Sequence, residues 1–330
     1  MALHVQFDTT GGPEVLTLRE VAVGAPGPGE LLISVDAIGV NRADAMFRQG
    51  RYFYPPASPS GLGYEAAGTV AAVGPGVPDF APGDSVSVVP AFKLTDYGTY
   101  GDQVLLPATA VLPRPADSDP VIAAAAWMGY LTGYGALAED SQVAPGEAVL
   151  ITAASGAVGL AAIQVVNRMG GVPIATTRTA GKRQRLLDAG AAHVVVTEEE
   201  DLVARVKAIT DGRGVRTAMD PIGGPGLAEV AATVAPGGRL LVYGALDPRD
   251  DLTLPIPSFP GIDARLFVQF PIGGDPARLR RATAFVNGGL ASGALAPVVD
   301  RTFDLTEAVE AHRYLESNAQ FGKIVLTVRH

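Results

Sequence analysis

The sequence predicts an α/β protein in two parts, a β-rich first third followed by a doubly wound sheet of parallel strands. Three observations carry this reading. Residues 148–160 pass from an unbroken apolar run, Val149-Leu150-Ile151, through a glycine turn into the start of a helix. A strand that is apolar without alternation is one covered on both faces, as in a parallel sheet. Beyond that point apolar strand-like segments alternate with helical ones, whereas before about Val121 the chain shows short β-like runs parted by Gly and Pro.

Taken in order, residues 31–35 and 85–89 read as strands of the first part, and from Val121 an alanine-rich helical stretch begins. Strands are expected at 148–152, 172–177, 193–196, 216–220 and 239–243, with a helix from the glycine turn to about Met169. Strands and helices alternating at this spacing imply right-handed crossovers and parallel pairing. After Gly261 come the segment 265–270, helices at 276–287 and 306–317, and a last strand at 323–328 that reads as an edge strand returning to the first part. The expected division is 1–121 with 270–330 for the β-rich domain and 122–269 for the other.

The turn itself, Ser155-Gly156-Ala157-Val158-Gly159, has the composition of a phosphate cradle. A residue without a side chain at Gly156 lets backbone N–H groups approach a pyrophosphate, and one at Gly159 lets the helix close on the strand, the arrangement of a Rossmann-type dinucleotide site. An NAD site places an acid about 20 residues further on, to hold the ribose hydroxyls. This chain instead reads Thr176-Thr177-Arg178-Thr179-Ala180-Gly181-Lys182-Arg183. Cations there suit a 2′-phosphate, so Thr177, Arg178 and Lys182 point to NADP(H).

Composition bounds the remaining possibilities. Of 330 residues, 48% are hydrophobic and 18% charged, the balance of a folded globular chain. The net charge of −9, with Lys and Arg scattered, argues against a nucleic-acid partner. The start Met-Ala-Leu-His leads into a polar strand-like segment rather than a basic and then apolar leader, so a cytoplasmic protein is expected; the apolar run at 148–166 is broken by Gly, Ser, Thr and Gln. There is no Cys, which removes disulfides, thiolate nucleophiles and Cys-ligated zinc. His4, His193, His312 and His330 show no ligand spacing, and no metal is expected.

An ordered set of short motifs then resembles a family over essentially the whole chain. They are Gly39-Val40-Asn41-Arg42-Ala43-Asp44, Gly50-Arg51-Tyr52, Gly61-Leu62-Gly63-Tyr64-Glu65-Ala66-Ala67-Gly68, Pro82-Gly83-Asp84-Ser85-Val86, Tyr100-Gly101-Asp102 and Leu131-Thr132-Gly133-Tyr134. Further along come Ala153, Gly156 and Gly159 of an A-x-x-G-x-x-G pattern, Asp220-Pro221-Ile222-Gly223-Gly224, Pro236-Gly237-Gly238-Arg239 and Phe321-Gly322-Lys323-Ile324-Val325-Leu326. The chain resembles the zinc-free, zeta-crystallin-like quinone oxidoreductase branch of the medium-chain dehydrogenase/reductase superfamily. That resemblance implies a GroES-like catalytic domain beside the Rossmann-type domain, a homodimer, and a small-molecule quinone or enone as partner. In zinc-dependent relatives a G-H-E motif supplies a metal ligand; here the same place reads Gly63-Tyr64-Glu65.

The resemblance also implies site residues. Tyr52 corresponds to a tyrosine near the nicotinamide and is expected to donate a proton or clamp substrate, with Tyr54 able to take that role; Asn41 offers an orienting amide and Tyr64 a pocket wall. Toward the cofactor it implies Thr132, Gly244, Ala245, the segment Phe267-Val268-Gln269, Asn318 and Lys323. Thr197 stands where the family often has Tyr, and Phe53, Tyr54, Phe92 and Phe259 are expected to line an apolar pocket in the interdomain cleft. The implied activity is metal-free hydride transfer from NADPH to a quinone or enone. An enoyl-thioester reductase and a non-catalytic NADPH-binding protein stand as alternatives.

Overall fold

A computed structural model describes residues 1–247 and 261–329. In chain order the elements begin with β1 (Ala2–Gln6), β2 (Thr17–Val21), β3 (Glu30–Val40), α1 (Arg42–Arg48), β4 (Glu65–Val73), β5 (Ser85–Val88), β6 (Gln103–Pro107), β7 (Val111–Pro113), α2 (Pro120–Ala124) and α3 (Trp127–Tyr134). They continue with β8 (Ala148–Ile151), α4 (Ala157–Arg168), β9 (Val172–Thr177), α5 (Arg183–Asp188), β10 (His193–Val196), α6 (Leu202–Ile209), β11 (Val215–Asp220), α7 (Leu227–Ala232) and β12 (Val234–Val242). The last are β13 (Asp263–Leu266), α8 (Phe270–Gly273), α9 (Pro276–Ser292), β14 (Val299–Asp304), α10 (Ala308–Glu316) and β15 (Lys323–Thr327). The chain divides into two units, one of residues 1–128, 270–279 and 297–330, the other of residues 129–269 and 280–296.

The first unit is GroES-like, built on a seven-stranded sheet in the order β14-β15-β3-β4-β5-β7, with β6 also on β3. The long β3 makes this possible. Its first half, Glu30 to Ser34, pairs with β6, and its second half, Ala37 to Val40, pairs with β15 on the same edge. The core gathers around Phe7, Ile33, Ile38, Phe47, Leu62, Tyr64 and Leu106, all shielded from solvent. Where α2 lies on this sheet the contact is made by small residues, Ala37, Ala67, Ala124, Ala125 and Val325. A Cβ on Gly39 would stand 2.3 Å from the Ala124 carbonyl, so only glycine permits this approach.

The second unit is a Rossmann-type sheet of six strands, all parallel, in the order β10-β9-β8-β11-β12-β13. From β8 the chain winds outward to β9 and β10, then returns to place β11, β12 and β13 on the other side. The reversal falls between β8 and β11, which is where open sheets of this kind bind ligands, beyond the carboxyl ends of the strands.

The expectations need four corrections. The last strand is not an edge strand: β15 lies between β14 and β3, and Ile324, Val325 and Leu326 are fully buried. The alanine-rich stretch is not one helix, since α2 ends at Ala124 and α3 starts at Trp127; the packing of α2 on β3 and β4 moves the junction of the units from 121 to 128. The helix expected at 276–287 runs to Ser292. From residue 280 that helix belongs to the second unit, because Phe285 packs on Tyr134 and Arg168, and Gln164 bonds both backbone atoms of Ala296.

Candidate active site

In the second unit, β8 delivers the chain to a turn whose shape is set by backbone. Ala153 adopts φ 46°, a left-handed conformation that costs an alanine about 1 kcal/mol or more. Its neighbour Ala154 donates its N–H to Thr176 at 3.1 Å, tying the turn to β9. Gly156 then caps α4 with extended backbone and no side-chain cap, so among the described residues no side chain takes the opening N–H groups of the helix. A Cβ on Gly159 would stand 2.6 Å from Ala154 Cα and carbonyl, whereas one on Gly156 would meet nothing nearer than 3.7 Å. Gly159 therefore closes the helix onto the turn, and the open space lies at Gly156. Ser155, Ala157 and Val158 complete a half-exposed rim.

Beside this rim Lys182 Nζ donates to Ser155 Oγ at 3.3 Å. Arg178 is exposed at the end of β9, and Thr177 is buried with its hydroxyl on the Thr179 carbonyl. Arg183, a cation of the same run, is drawn away by Glu200 at 2.7 Å. Thr197 turns its hydroxyl back to the Thr177 carbonyl. On the far side of the switch point Asp220 accepts from Thr152 Oγ1 and from the N–H groups of Ile222 and Gly223, at 2.9 and 2.7 Å for the latter two. This fixes the loop after β11 against the turn after β8. The donors, the open glycine and the lack of an acid suit a dinucleotide carrying a 2′-phosphate.

Other residues expected near that cofactor have mostly structural surroundings. Gly244 must be glycine because a Cβ there would stand 2.8 Å from the Pro221 carbonyl, and Ala245 is buried behind it. Phe267 and Gln269 are buried, Phe267 donating its N–H to the Val242 carbonyl, while Val268 is half-exposed. Thr132 is buried in α3.

In the first unit the site is made of side chains. Tyr52, Tyr54 and Tyr64 come together as an aromatic cluster with Phe47 and Phe270. Tyr54 and Tyr64 hydroxyls stand 2.7 Å apart, and Tyr64 donates to Tyr52 at 3.2 Å. Burial pushes the Tyr52 phenol above its ordinary value, with the hydrogen bond from Tyr64 working the other way. Burial likewise raises Tyr64, which is wholly enclosed. Of the residues expected to line an apolar pocket, Phe53 is half exposed and packs on Tyr52, Phe92 packs on Tyr64, and Phe259 lies outside the described residues.

Below the tyrosines lies a buried ionic cluster that sequence reasoning missed. Lys323 and Glu65 form an ion pair with side chains 2% and 0% exposed, so solvent screens it little. Asn41 joins them, accepting from Lys323 Nζ at 2.6 Å and donating to Glu65 Oε1 at 3.1 Å and the Gly39 carbonyl at 3.0 Å. Glu65 Oε2 takes the Met128 N–H at 2.8 Å. Asn41 and Lys323, expected beside substrate and cofactor respectively, are thus both hydrogen-bonded to Glu65 and to each other in this cluster. Asn318 is exposed in a left-handed conformation and receives Arg42 at 2.6 Å. The one sequence signal for Glu65 was its place after Gly63-Tyr64.

A second cluster adjoins it. Asp44 accepts the Asn41 N–H at 2.8 Å, and the Tyr100 hydroxyl lies 3.4 Å from Asp44 and 3.1 Å from His312 Nε2. Burial raises the Asp44 carboxyl to about 7, opposed by the Asn41 N–H and by Lys323. Burial lowers His312 to about 3, reinforced by Arg48 and Arg42. Among the described residues no group of three or more His, Cys, Asp or Glu has the arrangement of a metal site, and no helix is long and apolar enough to cross a membrane.

Fold and sites define a two-unit dehydrogenase/reductase, and comparison with known proteins agrees. Family profiles match in series: an alcohol dehydrogenase GroES-like domain over residues 27–153 and a zinc-binding dehydrogenase over residues 157–287. Quinone oxidoreductase 1 of Escherichia coli strain K12 is 39% identical over 225 residues, covering 68% of this chain and 67% of that one. A 2-haloacrylate reductase from Burkholderia sp is 31% identical over 334 residues, 99% of each chain. The crystal structure of Escherichia coli quinone oxidoreductase complexed with NADPH superposes with a TM-score of 0.92 at 32% identity, covering 98% of this chain and 99% of that one. The chain belongs to the quinone oxidoreductase branch of the medium-chain dehydrogenase/reductase superfamily, and it is an oxidoreductase.

Proposed function

We propose that this protein is an NADPH-dependent reductase that passes hydride to a conjugated acceptor, a quinone or an enone, without a metal ion. The observation that carries the cofactor choice is the Lys182 ammonium on Ser155, beside a glycine turn with no acid at the end of β9. The NADPH held by the Escherichia coli relative supports it. Bound NADPH supplies the hydride. Gly156, Ala157, Val158 and Gly159 would hold the pyrophosphate through backbone N–H groups, with Ser155 at the rim. Thr177, Arg178 and Lys182 would hold the 2′-phosphate.

The chain has no Cys, and Tyr64 fills the place of a zinc ligand in relatives. Carbonyl activation therefore falls to a hydrogen-bond donor, and Tyr52 is the phenol with a proton to give. For an enone, hydride adds at the β-carbon and the Tyr52 proton goes to the α-carbon or, in the transition state, to the carbonyl oxygen. A conjugated acceptor needs least help of this kind. The haloacrylate named for the Burkholderia relative is such a conjugated compound, which favours alkenes beside quinones. A homodimer is part of the proposal.

The test is NADPH oxidation with 1,4-naphthoquinone, simple enones and crotonyl thioester. Turnover with the first two supports the reading, turnover only with the thioester replaces it by enoyl-thioester reduction, and tight NADPH binding with no turnover makes the chain a non-catalytic binder. Arg178→Asp is expected to raise the NADPH Kd about tenfold with NADH unchanged; an unaltered preference removes Arg178 from the phosphate clamp.

A further inference from the structure

Three tyrosine hydroxyls of the first unit, those of Tyr52, Tyr54 and Tyr64, are joined by hydrogen bonds in a chain whose direction is set from one end. The Leu94 N–H lies 3.1 Å from Tyr54 Oη. A backbone amide only donates, so at this contact Tyr54 is the acceptor. Tyr64 donates to Tyr52 at 3.2 Å, and this uses the one proton Tyr64 has. The 2.7 Å contact between Tyr54 and Tyr64 must then be made by the Tyr54 proton. Each oxygen accepts one hydrogen bond and passes one on, from Leu94 through Tyr54 and Tyr64 to Tyr52. At the end of the chain Tyr52 accepts, and no described residue takes its own proton.

We propose that Leu94, Tyr54 and Tyr64 are positioning residues that set Tyr52 up as a donor, because the one-way chain ends in a hydrogen bond accepted by its oxygen and leaves its proton unspent. This rests on the reading of Tyr52 as the group that meets substrate, and it adds why that hydroxyl, among three in contact, carries the available proton. Neither Tyr54 nor Tyr64 is a catalytic residue in this account. Hydrogen bonds in series polarise one another, so the donor strength of Tyr52 depends on links it does not touch. As Tyr52 releases its proton to the reduced acceptor, the bond from Tyr64 stabilises the oxygen left behind; the replacement proton comes from solvent.

The first test needs neither cofactor nor substrate. In cofactor-free protein labelled with [13Cζ]tyrosine, Tyr64→Phe is expected to move the Tyr52 Cζ resonance, and Tyr54→Phe to move that of Tyr64 and release the Leu94 amide to faster exchange. If Tyr64→Phe leaves the Tyr52 signal unmoved, the chain is absent. The second test is kinetic, with NADPH and an enone. Tyr64→Phe is expected to lower kcat about tenfold and Tyr54→Phe about threefold, both at nearly constant KM, and neither to lower it further in a Tyr52→Phe background.

Full kcat in Tyr54→Phe and Tyr64→Phe with a large loss in Tyr52→Phe overturns the chain and spares Tyr52. Full kcat in all three overturns both. Should Tyr64→Phe fail to fold, the half-buried Tyr54→Phe carries the test, its effect on the Tyr64 resonance and on kcat being the ones required.

Discussion

The two units build their candidate sites from different material. In the second, nearly everything between Ile151 and Leu160 is done by main chain: a left-handed Ala153, an uncapped helix start and two glycines. In the first, the site is assembled from side chains far apart in sequence, with Asn41, Glu65 and Lys323 in one cluster and Tyr52, Tyr54 and Tyr64 in another. A backbone site can lose a side chain anywhere except where a Cβ collides. A buried side-chain site cannot lose one partner without stranding another, since the remaining charge keeps its desolvation cost and loses its compensation.

The largest effect is therefore expected in the first unit. Lys323→Met leaves Glu65 buried with the Met128 and Asn41 bonds but no cation. A loss of about 3–5 kcal/mol in urea unfolding is expected. The double variant Glu65→Gln with Lys323→Met should recover part of it, because no lone charge remains. If Lys323→Met alone unfolds at the wild-type urea concentration, the pair adds nothing and the contrast between the units fails.

A pH series sharpens the same contrast. Asp44 is held at about 7 in the fold against 3.8 as the ordinary value, so the folded protein binds its proton more tightly. Its stabilisation is complete below pH 3.8 and is lost as pH rises through 7. His312 is held at about 3 against 6.5, so its contribution is complete above pH 6.5 and is lost as pH falls toward 3. Between pH 4 and 6.5 the two oppose each other, each by roughly 3 kcal/mol. Asp44→Asn is expected to uncover the His312 slope, with stability rising over that window. His312→Gln is expected to uncover the Asp44 slope, with stability falling. Thermal unfolding at pH 4, 5 and 6.5 checks both signs, and parallel curves for the two variants would remove the cluster from the account.

This difference in material also decides what could be read from the sequence. The second unit was legible because its candidate site is local: the strand, glycine turn, helix and following strand lie in one stretch, and the missing acid and the cation Lys182 come just after that strand. The strands expected at 148–152, 172–177 and 193–196 match β8, β9 and β10 within one residue at each end. The first unit was legible as β-structure, and Tyr52, Tyr54 and Tyr64 were named, but not the order of their hydrogen bonds. That order depends on the Leu94 N–H, 40 residues from Tyr54. The polarity of Asn41 and Lys323 is visible in the sequence, but Glu65 as the partner they share is not. Lys323 is 258 residues from Glu65, and no periodicity joins residues so distant. The course of β15 as an inner strand was hidden for the same reason, since strand order belongs to the sheet and not to the strand.

The two glycines of the turn give the smallest effects on stability and the cleanest separation of fold from ligand. Gly159→Ala puts a Cβ 2.6 Å from Ala154 backbone, which cannot yield as a flexible side chain would. A loss of about 1–3 kcal/mol is expected, as for other overpacked sites, together with weaker NADPH binding because the turn has moved. Gly156→Ala meets only the Ala153 carbonyl at 3.7 Å, ordinary contact, at a φ of −78° that alanine adopts freely. Its stability is expected within about 0.5 kcal/mol of wild type. The added methyl instead occupies space proposed for the pyrophosphate, and the NADPH Kd should rise about tenfold or more, roughly 1.4 kcal/mol. Intrinsic fluorescence titration measures the binding and urea unfolding the stability. If Gly156→Ala binds NADPH as the wild type does, the open space at that position is not where the phosphates lie, and the backbone of the second unit is shaped for packing alone.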